Sequence, residues 1–317
     1  MTRRQRSLLS LVLIIVAVVG VPRLGAAETV AILSSDTLTS TRRAISGAQS
    51  TLTAMRSDVQ FIKVQLQNDS AGFAQQIDSI RAASPDIILT VGTTATRVAK
   101  ENFPSTPIVF SSVMYPVISG FVESLERPGN HVTGASLDIP IDIQFAKFRQ
   151  IIPDMKRVGV LYTTNTASLI PAARVVAANM GLELTAVEVN GPRDLPRALD
   201  SLVAEVDGLW SLADPILFSP QSTKYILLNS LRRGLPLMGF SRNVVESGAL
   251  FALDFDYKAI GRQAGSLVND IFNGASPARL AVTTPDIIWF HYNEKTAGHL
   301  QVSIPPDLIA IAKEVYR

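Results

Sequence analysis

Short apolar runs alternate with longer amphipathic segments along the chain after residue 28. The short runs are rich in Ile, Val and Leu, whereas the segments between them carry apolar residues at helical spacing. This alternation predicts βαβ units, in which buried parallel strands are covered by helices. In the first half we predict strands at Thr29–Leu33, Val59–Leu66, Asp86–Val91 and Pro107–Phe110, and helices at Thr41–Arg56, Ala71–Ala83 and Thr93–Asn102.

The second half of the chain repeats this pattern. RVGVLY at Arg157–Tyr162 resembles TVAILS at Thr29–Ser34, and PLMGF at Pro236–Phe240 resembles PIVFS at Pro107–Ser111. Internal similarity of this kind favours a duplicated unit, although any two α/β halves share some of it. We therefore predict an α/β fold of two Rossmann-like lobes with parallel sheets, joined by a multi-strand hinge and separated by a cleft.

The remaining pattern sets the lobe boundaries. We predict one lobe from residues 28–136 plus 256–284 and the other from 137–255 plus 285–317, so that the chain crosses between them several times. Several crossings permit a rigid closing motion around a bound molecule. The late elements predicted are strands at Leu250–Phe255 and Pro285–His291, and helices at Tyr257–Asn273, Glu294–Leu300 and Pro306–Tyr316.

The first 27 residues have a composition of their own. A basic start at Met1–Arg6 precedes an apolar run at Leu8–Val21, and Gly25, Ala26 and Ala27 fit a cleavage site. The apolar run is shorter than the roughly 20 residues that a membrane-spanning helix needs. We expect residues 1–27 to be a signal peptide for Sec export, and the mature chain to be a periplasmic or otherwise exported, soluble monomer. An uncleaved membrane anchor is the alternative.

Composition excludes several classes of function. The chain has 29 Lys and Arg against 27 Asp and Glu, but four of the arginines lie in the first 27 residues, which argues against a nucleic-acid partner. It has no Cys, and its three His are not spaced as a metal motif, so we expect no disulfide, metal or cofactor. The common nucleotide-binding and hydrolase motifs are absent, which predicts that the protein is not an enzyme.

Ligands of open α/β sheets bind beyond the carboxyl ends of the strands, and here those ends are rich in hydroxyls. Gly92, Thr93 and Thr94 open a helix, where free N–H groups could hold a carboxylate or simply be capped. Asp214 could pair with a ligand ammonium or cap the turn before Pro215. The other candidate binding residues are Ser35, Ser112, Asn165 and Ser241, with Tyr115, Trp210 and Phe240 as aromatic walls that could equally be core.

The stretch from Gly120 to Gly134, GFVESLERPGNHVTG, resembles a segment of the bacterial ABC-transporter substrate-binding family related to tryptophan and tyrosine uptake. Pro236–Leu250, IGRQAG from Ile260 to Gly265 and IPPDL from Ile304 to Leu308 are similar to that family as well. The resemblance covers nearly the whole chain after the predicted signal peptide. It implies a type I periplasmic-binding-protein fold, in which a small solute is captured and delivered to an ABC permease of the inner membrane.

The resemblance also carries over to single positions. Gly92, Thr93 and Thr94 fall where the family opens a carboxylate-holding helix, and Asp214 falls where the family keeps an acid. Where family members usually read Thr/Asp-Asp-Pro, this chain has Met114-Tyr115-Pro116. We therefore expect either an amino acid or an aromatic or apolar carboxylate as ligand.

Two classes of function fit these observations. The first is an exported solute-binding protein of an ABC importer, which captures its ligand in the cleft between the lobes. The alternative is a periplasmic sensory module that presents the bound ligand to a membrane receptor or histidine kinase.

Overall fold

The computed structural model describes residues 28–67 and 70–317 of the chain. The signal peptide expected at residues 1–27 lies outside the described residues. Within the two described ranges, none of the helices combines the length and the apolar character that a membrane span requires.

The first half of the chain forms one parallel sheet. Its five strands take the order β2-β1-β3-β4-β5, and each strand pairs parallel with its neighbours. The strands are β1 (Thr29–Ser34), β2 (Gln60–Gln65), β3 (Ile87–Val91), β4 (Ile108–Val113) and β5 (Val132–Ser136), and the helices are α1 (Thr39–Met55), α2 (Ser70–Ala83) and α3 (Thr93–Asn102).

The second half forms a larger sheet. Its strands are β6 (Arg157–Tyr162), β7 (Glu183–Glu188), β8 (Gly208–Ser211), β9 (Leu237–Gly239), β10 (Phe251–Phe255), β11 (Ile288–Asn293) and β12 (Ala312–Tyr316). The helices are α4 (Ile141–Ile151), α5 (Ile170–Asn179), α6 (Leu195–Val203), α7 (Pro220–Arg232), α8 (Arg242–Glu246), α9 (Tyr257–Phe272), α10 (Glu294–His299) and α11 (Pro306–Ile311), with short 3₁₀ turns at Ala167–Leu169, Pro192–Asp194 and Pro277–Arg279.

The two sheets share one topology. The larger sheet has the order β12-β11-β10-β9-β8-β6-β7, so β6 to β10 repeat the arrangement of β1 to β5. The aliphatic runs predicted as strands form the buried centre of each sheet, since β3 and β8 have no exposed residue. The predicted fold class, two parallel-dominated α/β sheets, is confirmed. The repeated strand order also supports the predicted duplication.

The carboxyl end of the chain differs from the prediction. The helix expected over Pro306–Tyr316 ends at Ile311, and Ala312–Tyr316 continue as β12 on the edge of the sheet. There β12 pairs parallel with β11, which itself runs antiparallel to β10. Ala312 and Val315 pack on the core beneath the sheet, so hydrogen bonds to a free strand edge and this packing outweigh helical propensity.

Helix α9 follows β10 of the larger sheet but packs against α1 and the first sheet. The two helices approach so closely that a Cβ atom at Gly261 would lie 2.0 Å from the carbonyl oxygen of Ala44. A Cβ atom at Gly47 would lie 2.1 Å from the carbonyl oxygen of Lys258. Glycine is therefore required at this contact, because no other residue leaves room for the facing backbone.

Segments of chain that pass between the sheets run side by side. The N–H of Ser136 donates to the carbonyl oxygen of Thr283 at 2.8 Å. The N–H of Thr283 donates to the carbonyl oxygen of Gly134 at 3.0 Å. The hydroxyl of Thr133 donates to the carbonyl oxygen of Leu280 at 2.8 Å. The lobe boundaries given above stay a prediction, which this pairing supports.

Candidate functional site

A cavity of about 560 Å³ lies between the two sheets. On one side it is lined by residues that follow β4 and β5, and on the other by residues of β8, β9 and β10 and the loops after them. Its size falls in the range of small-molecule sites. Most of the lining side chains are apolar, among them Met114, Leu137, Leu169, Leu212 and Phe255.

Of the residues predicted from the sequence, Tyr115, Trp210 and Phe240 line this cavity. Trp210 is 2% exposed, its indole N–H donates to Gln144 Oε1 at 2.7 Å, and its ring meets the edge of Phe145. Phe240 is half-buried and packs edge to face on Phe218. Both rings are held by the core, so they form fixed walls of the cavity.

Tyr115 connects the two sides of the cavity. Its backbone has the left-handed φ of 53°, which costs a non-glycine residue about 1–3 kcal/mol unless its contacts hold it there. Two contacts do so. The N–H donates to the carboxylate of Asp138 at 2.9 and 3.2 Å, and the hydroxyl accepts from the N–H of Ala213 at 3.2 Å. Burial, together with the nearby Asp138 charge, raises the pKa of Tyr115, so the phenol stays protonated.

Asp138 is a cavity residue that the sequence analysis missed. It is partly buried at the end of β5, and its own N–H donates to Ser136 Oγ at 2.8 Å. Burial raises the pKa of Asp138 to about 6, although the Tyr115 N–H and the Ser136 hydroxyl favour the charged form. The sequence contains a signal, since an acid ends the short segment of mostly apolar and small residues VTGASLD. The sequence pattern of residues 134–140 indicates only a crossing between the lobes, which hides this acid as a candidate.

Asp214 lies outside the lining and is fully buried. One carboxylate oxygen accepts from the hydroxyls of Thr163 and Thr166, at 2.5 and 3.0 Å. The other accepts from the N–H groups of Ile216 and Leu217, at 2.9 and 3.3 Å. These four donors fill the acceptor sites of a carboxylate, so none is left for a ligand ammonium. The geometry corresponds to the alternative weighed above, in which Asp214 caps a turn.

The other predicted residues lie away from the lining. Gly92 is the N-cap of α3 and has a φ of 87°, its carbonyl oxygen accepts from the hydroxyl of Thr96, and Thr94 is exposed. Ser112, with a φ of 60°, interrupts the register between β4 and β5. Contact between a ligand and these residues stays a prediction, as it does for Tyr115, Trp210 and Phe240. The residues outside the lining are Ser35, Gly92, Thr93, Thr94, Ser112, Asn165, Asp214 and Ser241.

Residues 28–316 match the family profile described as ABC transporter substrate binding protein. The chain belongs to this family. The resemblance seen in the sequence is thereby confirmed. A tyrosine-binding protein of Clostridioides difficile is 27% identical over 239 residues, which cover 74% of this chain and 69% of that protein.

Solved structures of substrate-binding proteins share the fold. An ABC domain from Streptococcus pneumonia in complex with L-Trp has a TM-score of 0.63 at 20% identity. A ligand-free, open substrate-binding protein with adhesive properties from Clostridium difficile has a TM-score of 0.74 at 21% identity. Both comparisons cover 92% of this chain and 100% of the other. The family member described here therefore has the type I periplasmic-binding-protein fold.

Proposed function

We propose that this chain is an exported solute-binding protein of an ABC importer, and that it captures one small organic molecule between its two sheets. The observation that carries this proposal is the cavity of about 560 Å³ between two sheets of matching topology, in a member of a substrate-binding family. The protein acts as a monomer in the periplasm, hands its ligand to a permease in the inner membrane, and catalyses no reaction.

The ligand proposed is an amino acid with an apolar or aromatic side chain. A similar protein is named for tyrosine binding, and a protein of the same fold was solved with L-Trp. The apolar lining of the cavity, with Trp210 and Phe240 in its wall, suits such a side chain. An aromatic or apolar carboxylate is the alternative ligand.

Ligand screening by thermal shift tests the binding function. The purified protein is heated with single amino acids, aromatic acids, amines and other small metabolites. A compound at about 100 times its Kd stabilises the folded state by about 2.7 kcal/mol, enough to raise the Tm by several degrees. Uptake of the same compound should then be lost in a strain without this protein. Absence of any stabilising compound, or turnover of one that binds, would contradict the proposal.

A further inference from the structure

The cavity is acidic as well as apolar. Among the described residues that line it are two carboxylates, Glu126 and Asp138, and no Lys, Arg or His. A ligand carboxylate placed here without an ammonium group on the same ligand would lose its hydration without meeting an opposite charge, which is costly in an apolar environment. The helix start at Gly92, which was expected to hold a carboxylate, is not part of the lining.

The two carboxylates are not equivalent. Glu126 is exposed at the rim, where water solvates its charge. Asp138 lines the cavity and accepts from the Tyr115 N–H, and no ion pair of the described residues includes it. A carboxylate offers about four acceptor sites, and the Tyr115 N–H and the Ser136 hydroxyl leave part of that capacity unused. Asp138 therefore has no cationic partner within residues 28–67 and 70–317.

The lining of the same cavity also contains a neutral donor, the Tyr115 hydroxyl. The Tyr115 hydroxyl accepts from the Ala213 N–H, and no acceptor among the described residues takes its proton. The phenol can therefore donate to a neutral polar atom of a bound molecule. Trp210 already donates to Gln144, and the Ser211 hydroxyl already donates to the carbonyl oxygen of Met238. The partly buried polar groups that could meet a ligand thus include one charged acceptor, Asp138, and the neutral Tyr115 hydroxyl, within a lining that is mostly apolar.

We propose that this cavity selects a protonated amine on an apolar or aromatic body, and that Asp138 is the residue that binds the ammonium group. This inference rests on the proposed function, because it assigns the chemistry of the same cavity. It separates the two ligand classes left open above. The amine is the required group, and a carboxylate without an amine is rejected.

Matched ligand sets test this assignment by isothermal titration calorimetry at pH 7.5. Each set pairs an amine with the amino acid and the amine-free acid of the same body: tyramine, tyrosine and hydroxyphenylpropionate; tryptamine, tryptophan and indolepropionate. We expect the best amine-bearing member to bind about 100-fold or more tightly than the matching acid. Asp138→Asn should weaken that binding about 30-fold or more, because a desolvated charge pair is lost. Asp138→Glu should recover part of it.

Asp142→Asn is the matched control, since it makes the same substitution at an exposed carboxylate that is not part of the cavity lining. Its effect should stay within about threefold, as is usual for an exposed charge. Circular dichroism and thermal melting check that each variant folds, and the comparison of ligands needs only the wild-type protein.

Three results would overturn the inference. These are an acid that binds as tightly as its amine, no binding by any amine-bearing member, or unchanged affinity of folded Asp138→Asn. In each case the proposed function stands as long as the wider thermal-shift screen finds another ligand. It fails only if that screen finds none.

Discussion

Asp138 and Asp214 each follow a strand of one of the two sheets, yet their surroundings are opposite. Asp214 is fully buried, and four donors from the loops after β6 and β8 occupy its oxygens. Asp138 is partly buried and lines the cavity, and hydrogen bonds from the Tyr115 N–H and the Ser136 hydroxyl favour its charged form. Burial raises the pKa of Asp138 to about 6. A carboxylate with all its acceptor sites filled serves the fold, whereas one with spare capacity at a cavity is available to a ligand.

The largest effect is expected at Asp214. Asp214→Ala leaves two hydroxyls and two N–H groups without their acceptor in a buried loop, which should lower the free energy of unfolding by about 3–5 kcal/mol. Urea denaturation measures this change. Thr164→Ala, at an exposed position of the loop after β6 that also holds Thr163 and Thr166, is the control and should stay within about 0.5 kcal/mol. An unchanged urea midpoint for Asp214→Ala would break the comparison between the two aspartates.

The affinity for an amine should depend on pH through Asp138. Below its pKa of about 6 the carboxyl is protonated, so a proton competes with the ligand ammonium. Affinity for tyramine should therefore be constant above about pH 7 and fall about tenfold per unit below pH 6, because tyramine itself stays charged throughout. Calorimetric titration at several pH values gives the profile. A profile that stays flat down to pH 5, or one that Asp138→Asn retains, would argue against Asp138 as the binding residue.

Titration of Asp138 should also change the stability of the ligand-free protein. The pH dependence of stability should be opposite to that of amine affinity, because stability should rise as the pH falls. The pKa of Asp138 is raised in the folded state, so its contribution to stability is least favourable above pH 6 and improves as the pH falls toward 4. Asp138→Asn removes the buried charge and should raise the Tm by a few degrees at pH 7.5. That gain should shrink at pH 4.5. Scanning calorimetry at both pH values tests this, and an equal Tm change at the two pH values would mean that Asp138 does not titrate in this range.

The smallest effect is expected at Tyr115. Tyr115→Phe removes the hydroxyl that accepts from the Ala213 N–H and should cost about 0.5–1.5 kcal/mol in urea denaturation. Tyr257→Phe is a suitable control, because the Tyr257 ring packs on Phe255 and no hydrogen bond of its hydroxyl is seen in the described residues. Equal losses in the two variants would show that the bond between Tyr115 and Ala213 adds nothing.

Local pattern was sufficient to predict most of the fold. The short aliphatic runs of β1, β3 and β6 are typical of buried strands in a parallel sheet. Apolar residues at helical spacing predict α1 and α9. Strand β12 could not be predicted, because AKEVY becomes a strand only when β11 offers a free edge. The antiparallel direction of β11 likewise depends on where the preceding crossing leaves the chain.

The candidate site was harder to predict than the fold. Strand ends could be located, but which of them face the cavity depends on how the two sheets are placed against each other. Tyr115 could be recognised as an aromatic residue past a strand. Its left-handed backbone and its bond to Asp138 arise from contacts between segments 23 residues apart. Asp138 and Asp214 look alike in the sequence. The number of hydrogen-bond donors that each carboxylate meets is set by tertiary structure, so the sequence does not distinguish their roles.

The contact between α1 and α9 bears on the order in which the chain folds. Arg56, just after α1, donates through Nε to Asn269 Oδ1 of α9 at 2.9 Å, across a separation of 213 positions. The amino-terminal half is synthesised first, but one face of its sheet, with Val30 and Ile32, is covered only in part by α1 until α9 has been made. Contacts between such distant segments form slowly. The core of the first half is therefore completed only after nearly the whole chain has been made, and this late completion suits the export through a narrow channel expected from its sequence.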